Sequence, residues 1–301
     1  MQKLFAVVGL VLSVVGLALT ALPPVAEAGA HASRARQPTY YVSLGDSYAV
    51  GYQPGIGSTP GYTVYVANHT GLKLVNFGCG GATTSSVLNA VGCPDVLPHT
   101  TGGMTYPSTT QIAAADAFIT AHRSHIGLIT VSIGGNDVTA CATQSNPISC
   151  VGTAVKSITT NVTTLADDLR TAAGPNVPIV GSTYPDVGLG AYVFPKNPGP
   201  PAAITLAKES VVAFQLLINP ALSKAYQSAQ GSLVDVTKAT GAYGSLTTTV
   251  KTKTYGTIPV PVATVCTLTW FCAKGDIHSR TPGYNLIGRL YVARYKQVTH
   301  H

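Results

Sequence analysis

Short apolar runs alternate with longer stretches of helical periodicity along most of this chain. Residues 40–44, 72–77, 126–133, 177–184 and 233–236 are compact runs rich in Val, Ile, Leu and Tyr, and each reads as a buried strand. Between them, residues 62–68 and the Ala-rich segment 111–122 have helical character. So does 151–170, where Val155, Ile158, Val162, Leu165 and Leu169 recur at helical spacing. Residues 202–226 read as helix with a kink or break at Asn219-Pro220, since proline removes a backbone donor. Residues 284–295 close the series as a helix with Leu286, Ile287, Leu290 and Val292 on its apolar face. Five strands with helical crossovers, no fixed repeat and no internal linker predict one α/β domain with a mainly parallel sheet. Two stretches resist the pattern. Residues 241–274, rich in Thr, Val, Gly and Pro, read as a hairpin or ordered loop, and 188–201 as part of a substrate rim.

The N-terminal segment belongs to another category. Lys3 precedes an apolar run over 4–22, Pro23-Pro24 ends it, and Ala26-Glu27-Ala28 supplies the small residues of a cleavage site. A retained membrane anchor is the alternative, because the run is long enough to span. The expected division is a signal peptide at 1–28, a flexible mature N-terminus at 29–37 and a single domain at 38–301, in a secreted protein. The cysteines agree with export. Cys79 and Cys93, Cys141 and Cys150, and Cys266 and Cys272 are three close pairs, an even count that reads as disulfides. Six cysteines admit many connectivities; neighbour pairing is favoured because each bridge then staples a single loop. No Cys-x-x-Cys spacing points to zinc.

Only 10% of residues are charged against 46% hydrophobic, which excludes a disordered chain. The net charge of +7 comes from scattered residues such as Lys73, Arg123, Lys156 and Lys251, without the clusters that nucleic-acid binding needs. It suits anionic substrates, wall polymers or lipid headgroups.

Candidate chemistry sits at the strand ends. Gly45-Asp46-Ser47-Tyr48 follows the first strand, where α/β sheets bind ligands, and Ser47 offers a nucleophile there. The turn Gly78-Cys79-Gly80-Gly81 after the second strand lets backbone N–H groups approach a ligand. Gly134-Gly135-Asn136-Asp137 after the third adds a side-chain amide suited to an oxyanion hole. Gly275-Asp276-Ile277-His278 supplies a base before the last helix. Each alone is also an ordinary turn; Asp46 and Asp137 are expected to brace theirs by accepting from backbone amides.

Together, in this order, the four motifs resemble the SGNH (GDSL-like) hydrolases from about Tyr41 to Ala293. The resemblance implies a three-layer α/β/α sandwich of flavodoxin-like type. It implies Ser47 as nucleophile, His278 as base, and an oxyanion hole of Ser47 N–H, Gly81 N–H and the Asn136 amide. Pro185-Asp186 resembles the weaker block after the fourth strand. One position departs: the family's Asp-x-x-His would place the acid at 275, which is Gly275, while the carboxylate stands at Asp276. Either Asp276 or a backbone carbonyl near Gly275 is then left to orient the imidazole.

The reaction implied is ester hydrolysis through an acyl-enzyme, with no metal or organic cofactor. The three-disulfide layout resembles exported bacterial lipase and esterase members, so the expected substrate is a lipid or short-chain carboxylic ester. The expected protein is a monomer that touches membrane or lipid surfaces transiently and binds no nucleic acid. A carbohydrate O-acetylesterase is the close rival. A non-catalytic secreted binding module on the same scaffold is the rival from another class.

Overall fold

Five of the apolar runs pair edge to edge into one parallel sheet. The computed structural model describes residues 39–95 and 100–299; the expected signal peptide and flexible N-terminus lie outside them. The strands are β1 (Tyr40–Gly45), β2 (Tyr52–Gln53), β3 (Gly57–Ser58), β4 (Lys73–Asn76), β5 (Ile126–Ser132), β6 (Ile179–Ser182), β7 (Ser232–Val234), β8 (Thr249–Thr252) and β9 (Gly256–Pro259). The helices are α1 (Tyr62–Thr70), α2 (Thr84–Asn89), α3 (Gln111–Ala121), α4 (Gly135–Thr139), α5 (Pro147–Ala173) and α6 (Pro201–Val212). They continue as α7 (Asn219–Ser228), α8 (Val236–Ala239), α9 (Val260–Leu268), α10 (Phe271–Lys274) and α11 (Thr281–Thr299).

The sheet order is β4-β1-β5-β6-β7, with every neighbouring pair parallel. This is the flavodoxin-like order the motifs implied. The chain leaves β1 for β4 on one side and crosses to β5 on the other. The switch point, where such sheets bind ligands, therefore falls at the end of β1.

Burial on both faces explains why the strand sequences are nearly unbroken apolar runs. Val42, Leu44, Ile129 and Val131 face a core shared with α3, α5 and α7. Tyr41, Leu128 and Val180 face the opposite core, filled by Tyr62 and Val66 of α1 and Tyr284, Ile287 and Tyr291 of α11. The three-layer sandwich is thus built from period-two alternation in strands and apolar stripes on helices. Helix α5 shows the local logic. Asn146 caps it by accepting from Ser149 N, Pro147 opens it and Gly174 ends it. Its stripe of Val151, Ile158, Val162, Leu165 and Leu169 is buried against the sheet. Truncating Leu165, which is 1% exposed, to alanine should cost roughly 2–5 kcal/mol.

Two expectations need correction. The helical run is not broken at Asn219-Pro220. It continues from Pro201 to Ser228, and a π-helical stretch at Ala213–Ile218 precedes the proline. Pro220 has no N–H to donate to the preceding turn. The looser π turn takes up the mismatch, and the buried Asn219 side chain donates to Thr237 Oγ1 at 3.0 Å. Residues 241–274 are more regular than expected: the β8–β9 hairpin leads into α9 and α10. Thr and Val disguise α9, because β-branched residues carry low helix propensity. Its Val262 and Val265 are fixed instead by a third small core with Leu189, Val193, Ala242 and Ile258.

The cysteines pair as neighbours: Cys79–Cys93, Cys141–Cys150 and Cys266–Cys272.

Candidate active site

The turn after β1 admits only glycine at position 45. Gly45 has φ +135°, and a Cβ there would lie 2.1 Å from the carbonyl oxygen of Ser132 on β5. Gln111 at the head of α3 locks this glycine from both sides: its Oε1 accepts from Gly45 N at 2.7 Å and its Nε2 donates to Gly45 O at 3.1 Å. Asp46 is buried; its Oδ1 accepts from Tyr48 N at 2.9 Å and its Oδ2 from the Tyr184 hydroxyl at 2.5 Å. Burial pushes this carboxyl up to about 7, against the pull of those hydrogen bonds. Ser47 stands at the lip of the turn, and its hydroxyl is engaged by His278, described below. Among the described residues no acceptor takes its backbone N–H.

The imidazole beside Ser47 arrives from a segment 231 residues further along the chain. Helix α10 ends at Gly275 in the left-handed conformation, φ +69°, and a Cβ there would lie 2.6 Å from the Phe194 ring. This position is a glycine C-cap against an aromatic wall, which is why no acid occupies it. The carboxylate comes one residue later. Asp276 Oδ1 accepts from His278 N at 2.9 Å and pairs with His278 Nδ1 at 2.8 Å. With its Nδ1 proton facing a carboxylate, the ring presents Nε2 as acceptor, and Nε2 lies 2.7 Å from Ser47 Oγ. Burial lowers the imidazole below its usual 6.5, while the Asp276 hydrogen bond and charge push the other way. A neutral ring at neutral pH is the form that accepts a proton.

Three contacts fix this loop. The Tyr48 hydroxyl donates to Ile277 O at 2.6 Å, Trp270 N donates to His278 O at 2.9 Å, and the Tyr52 ring meets the imidazole edge-on at 4.5 Å between centroids.

The two glycine turns approach from β4 and β5. Cys79 N donates to Gly45 O at 2.9 Å, which lays the first turn against the turn of Ser47. Gly81 has φ +70°, and its N–H meets no acceptor among the described residues. Asn136 Nδ2 donates to Ala82 O at 2.8 Å. That bond uses one amide hydrogen and leaves the other, and it ties Asn136 to the residue after Gly81. Asp137 accepts from Thr84 N at 3.0 Å and Thr84 Oγ1 at 2.6 Å, bracing the start of α2. The structure therefore joins Ser47, His278 and Asp276 by direct hydrogen bonds and links Asn136 to the turn of Gly81.

A cavity of about 370 Å³ opens beside Ser47. Its walls are largely apolar, with Val138, Ile148, Val151, Leu206, Phe214 and Ile218 among them. Asp186 also lines it; its Oδ2 accepts from Ser210 Oγ at 3.0 Å, and burial raises the carboxyl to about 7. Sequence reasoning missed Tyr184, whose ring lies 3.0 Å from where a Cβ on Gly135 would stand while its hydroxyl reaches Asp46. It also missed the wall from α6 and the π stretch. Tyr184 looked like one more strand residue, and only the pairing of β5 with β6 brings it to the site.

A model of the GDSL-like Lipase/Acylhydrolase family matches residues 43–248, a span holding Ser47, Gly81 and Asn136, with Asp276 and His278 beyond it. The chain is similar in structure to a lipase from a goat rumen metagenome, with 16% identity and a TM-score of 0.52. That comparison covers 85% of this chain and 96% of the other. It is also similar to an acetyl xylan esterase from Geobacillus stearothermophilus, at 12% identity and TM-score 0.43, covering 85% and 94%. No curated protein matches the sequence.

Proposed function

The chain belongs to the GDSL-like lipase/acylhydrolase family, and from that premise we propose that it is a secreted carboxylesterase acting on lipid or acyl-chain esters, with Ser47 as nucleophile. The observation that carries this is the chain of contacts Ser47–His278–Asp276 at the mouth of an apolar cavity.

In the proposed reaction Ser47 Oγ attacks the ester carbonyl as His278 Nε2 takes its proton. Asp276 stabilises the imidazolium that forms and keeps the ring in the correct tautomer. The oxyanion is held by the N–H groups of Ser47 and Gly81 and the second hydrogen of the Asn136 amide. His278 then returns the proton to the departing alcohol, and water repeats the sequence on the acyl-Ser47 ester.

The cavity favours an acyl chain over an acetyl group. An O-acetylesterase needs room for one methyl beside the nucleophile, whereas this space runs to Leu206, Phe214 and Ile218. Burial of an acyl chain there yields ~0.8 kcal/mol per methylene. The three disulfides and the small-residue cleavage pattern at Ala26-Glu27-Ala28 support action outside the cell.

The test is hydrolysis of p-nitrophenyl esters from acetate to palmitate by the mature protein and its Ser47→Ala variant. Activity should rise from acetate to longer chains and vanish in the variant. Folded protein that hydrolyses none of the series, or a variant as active as the parent, overturns the reading.

A further inference from the structure

One wall of the cavity has an outer side that folding does not account for. The helical run Pro201–Ser228 is, among the described residues, the one helix long and apolar enough by composition to cross a membrane, yet only 17% of its most apolar stretch is buried. Its inner side belongs to the protein: Ala207, Ala213 and Ile218 are buried, and Leu206 and Phe214 line the cavity. On its outer side Lys208, Val212, Leu216, Pro220 and Lys224 follow at four-residue intervals, and all five are exposed. Val212 is 46% exposed and Leu216 65%.

Single exposed aliphatic residues are ordinary. The order here is not: two aliphatics and a proline lie between two lysines, on the back of the wall that borders the substrate cavity. The only carboxylate of the run, Glu209, lines the cavity. Lysine stems lie along apolar surface while their ammonium groups reach outward, so the ends of this stripe suit headgroups and its centre suits acyl chains. The chain's charge of +7 selects the sign of the headgroup.

We propose that this face docks on the surface of an anionic lipid layer, placing the cavity beside the acyl chains it is to receive. The proposal deepens the ester-hydrolase reading and rests on it for the use of the cavity; the docking is separable from catalysis and is tested so. Ser47→Ala protein, which turns over no lipid, is sedimented with vesicles of phosphatidylcholine alone and with vesicles rich in phosphatidylglycerol. Each lysine near an anionic surface contributes about fivefold in partitioning. Binding to the anionic vesicles should therefore be ~25-fold tighter, and Lys208→Gln with Lys224→Gln should erase that preference. Val212→Glu with Leu216→Glu should weaken binding about tenfold or more. In protein with Ser47 intact, the glutamate pair should leave kcat/KM on a soluble p-nitrophenyl ester unchanged.

Equal binding to both vesicle types, or vesicle binding indifferent to the glutamate pair, overturns the docking proposal. Parent protein inert toward soluble esters while vesicle binding follows the stripe would instead sink the ester reading and leave the docking in place.

Discussion

Replacing Asp276 with asparagine tests the least conventional part of the site. Asp276 Oδ1 serves two donors, His278 N at 2.9 Å and His278 Nδ1 at 2.8 Å. Asparagine keeps the shape, loses the charge, and can turn its NH2 toward the ring. A hydrogen bond to a charged group contributes ~1.5–3 kcal/mol, equivalent to roughly 10- to 150-fold in rate. In deeply buried triads, reversal of the imidazole tautomer raises the loss to ~10⁴-fold. The Asp276 side chain is 24% exposed, so water shares in stabilising the imidazolium and the lower figures apply. We expect kcat/KM to fall about 100-fold.

The pH profile gives a second readout. Burial lowers the imidazole, and the Asp276 bond and charge raise it. Without the carboxylate only the lowering influence remains. The acidic limb of kcat/KM should therefore move to lower pH while the plateau drops. The assay is p-nitrophenyl butyrate hydrolysis across the pH range, with circular dichroism as the folding control. A plateau within threefold of the parent and an unmoved limb would show that the main chain, not Asp276, orients the ring.

Other expectations follow from the same geometry. Asn136→Ala should reduce kcat by ~100- to 1,000-fold with KM nearly unchanged, if the amide serves as the proposed oxyanion donor; near-parental turnover in steady-state kinetics refutes that role. Gly275→Ala forces a side chain into the left-handed region, at about 1–2 kcal/mol, and toward Phe194. A Tm lower by roughly 2–8 °C and reduced turnover, both read on purified protein, are the expected results. Asp116 on α3 has its carboxyl raised to about 7, by burial first and Asp168 second, and its Oδ1 has no partner among the described residues. Its folded value lies above the unfolded one, so it binds a proton more tightly when folded, and stability declines as pH rises from ~4 to ~7. Asp116→Asn should raise Tm at pH 8 by about 2–4 °C, a figure discounted for partial exposure. The gain should disappear near pH 4 in a thermal scan, and a gain equal at both pH values contradicts the burial argument.

What the sequence disclosed and what it hid divide along a physical line. Strands β1, β5 and β6 were legible because two-sided burial demands continuous apolar runs, and α5 because its stripe repeats at helical spacing. The strand-end motifs of Ser47, Gly81 and Asn136 were legible because tight turns and close backbone approach restrict which residues serve. The position of the carboxylate that pairs with His278 was not. Gly275 reads as a missing carboxylate until Phe194, from a distant loop, supplies the reason for a glycine C-cap there. Tyr48 and Tyr184 were hidden for the same cause: each is an apolar-looking residue in sequence, and its hydroxyl acquires a partner only through long-range packing. The cavity wall was hidden because Asn219-Pro220 signals a break, while the π turn that replaces the break leaves no mark in composition.

The pairing of Ser47 with His278 spans 231 residues of chain. A nascent polypeptide thus carries Ser47 early, and the imidazole proposed to activate it comes within reach only when the whole sheet and the Trp270 loop are in place. Contacts so distant in sequence are among the late ones to form when loop closure limits folding. Recovery of ester hydrolysis after dilution from denaturant should therefore time the completion of the native topology itself, and a chain stopped short of the histidine should be inert.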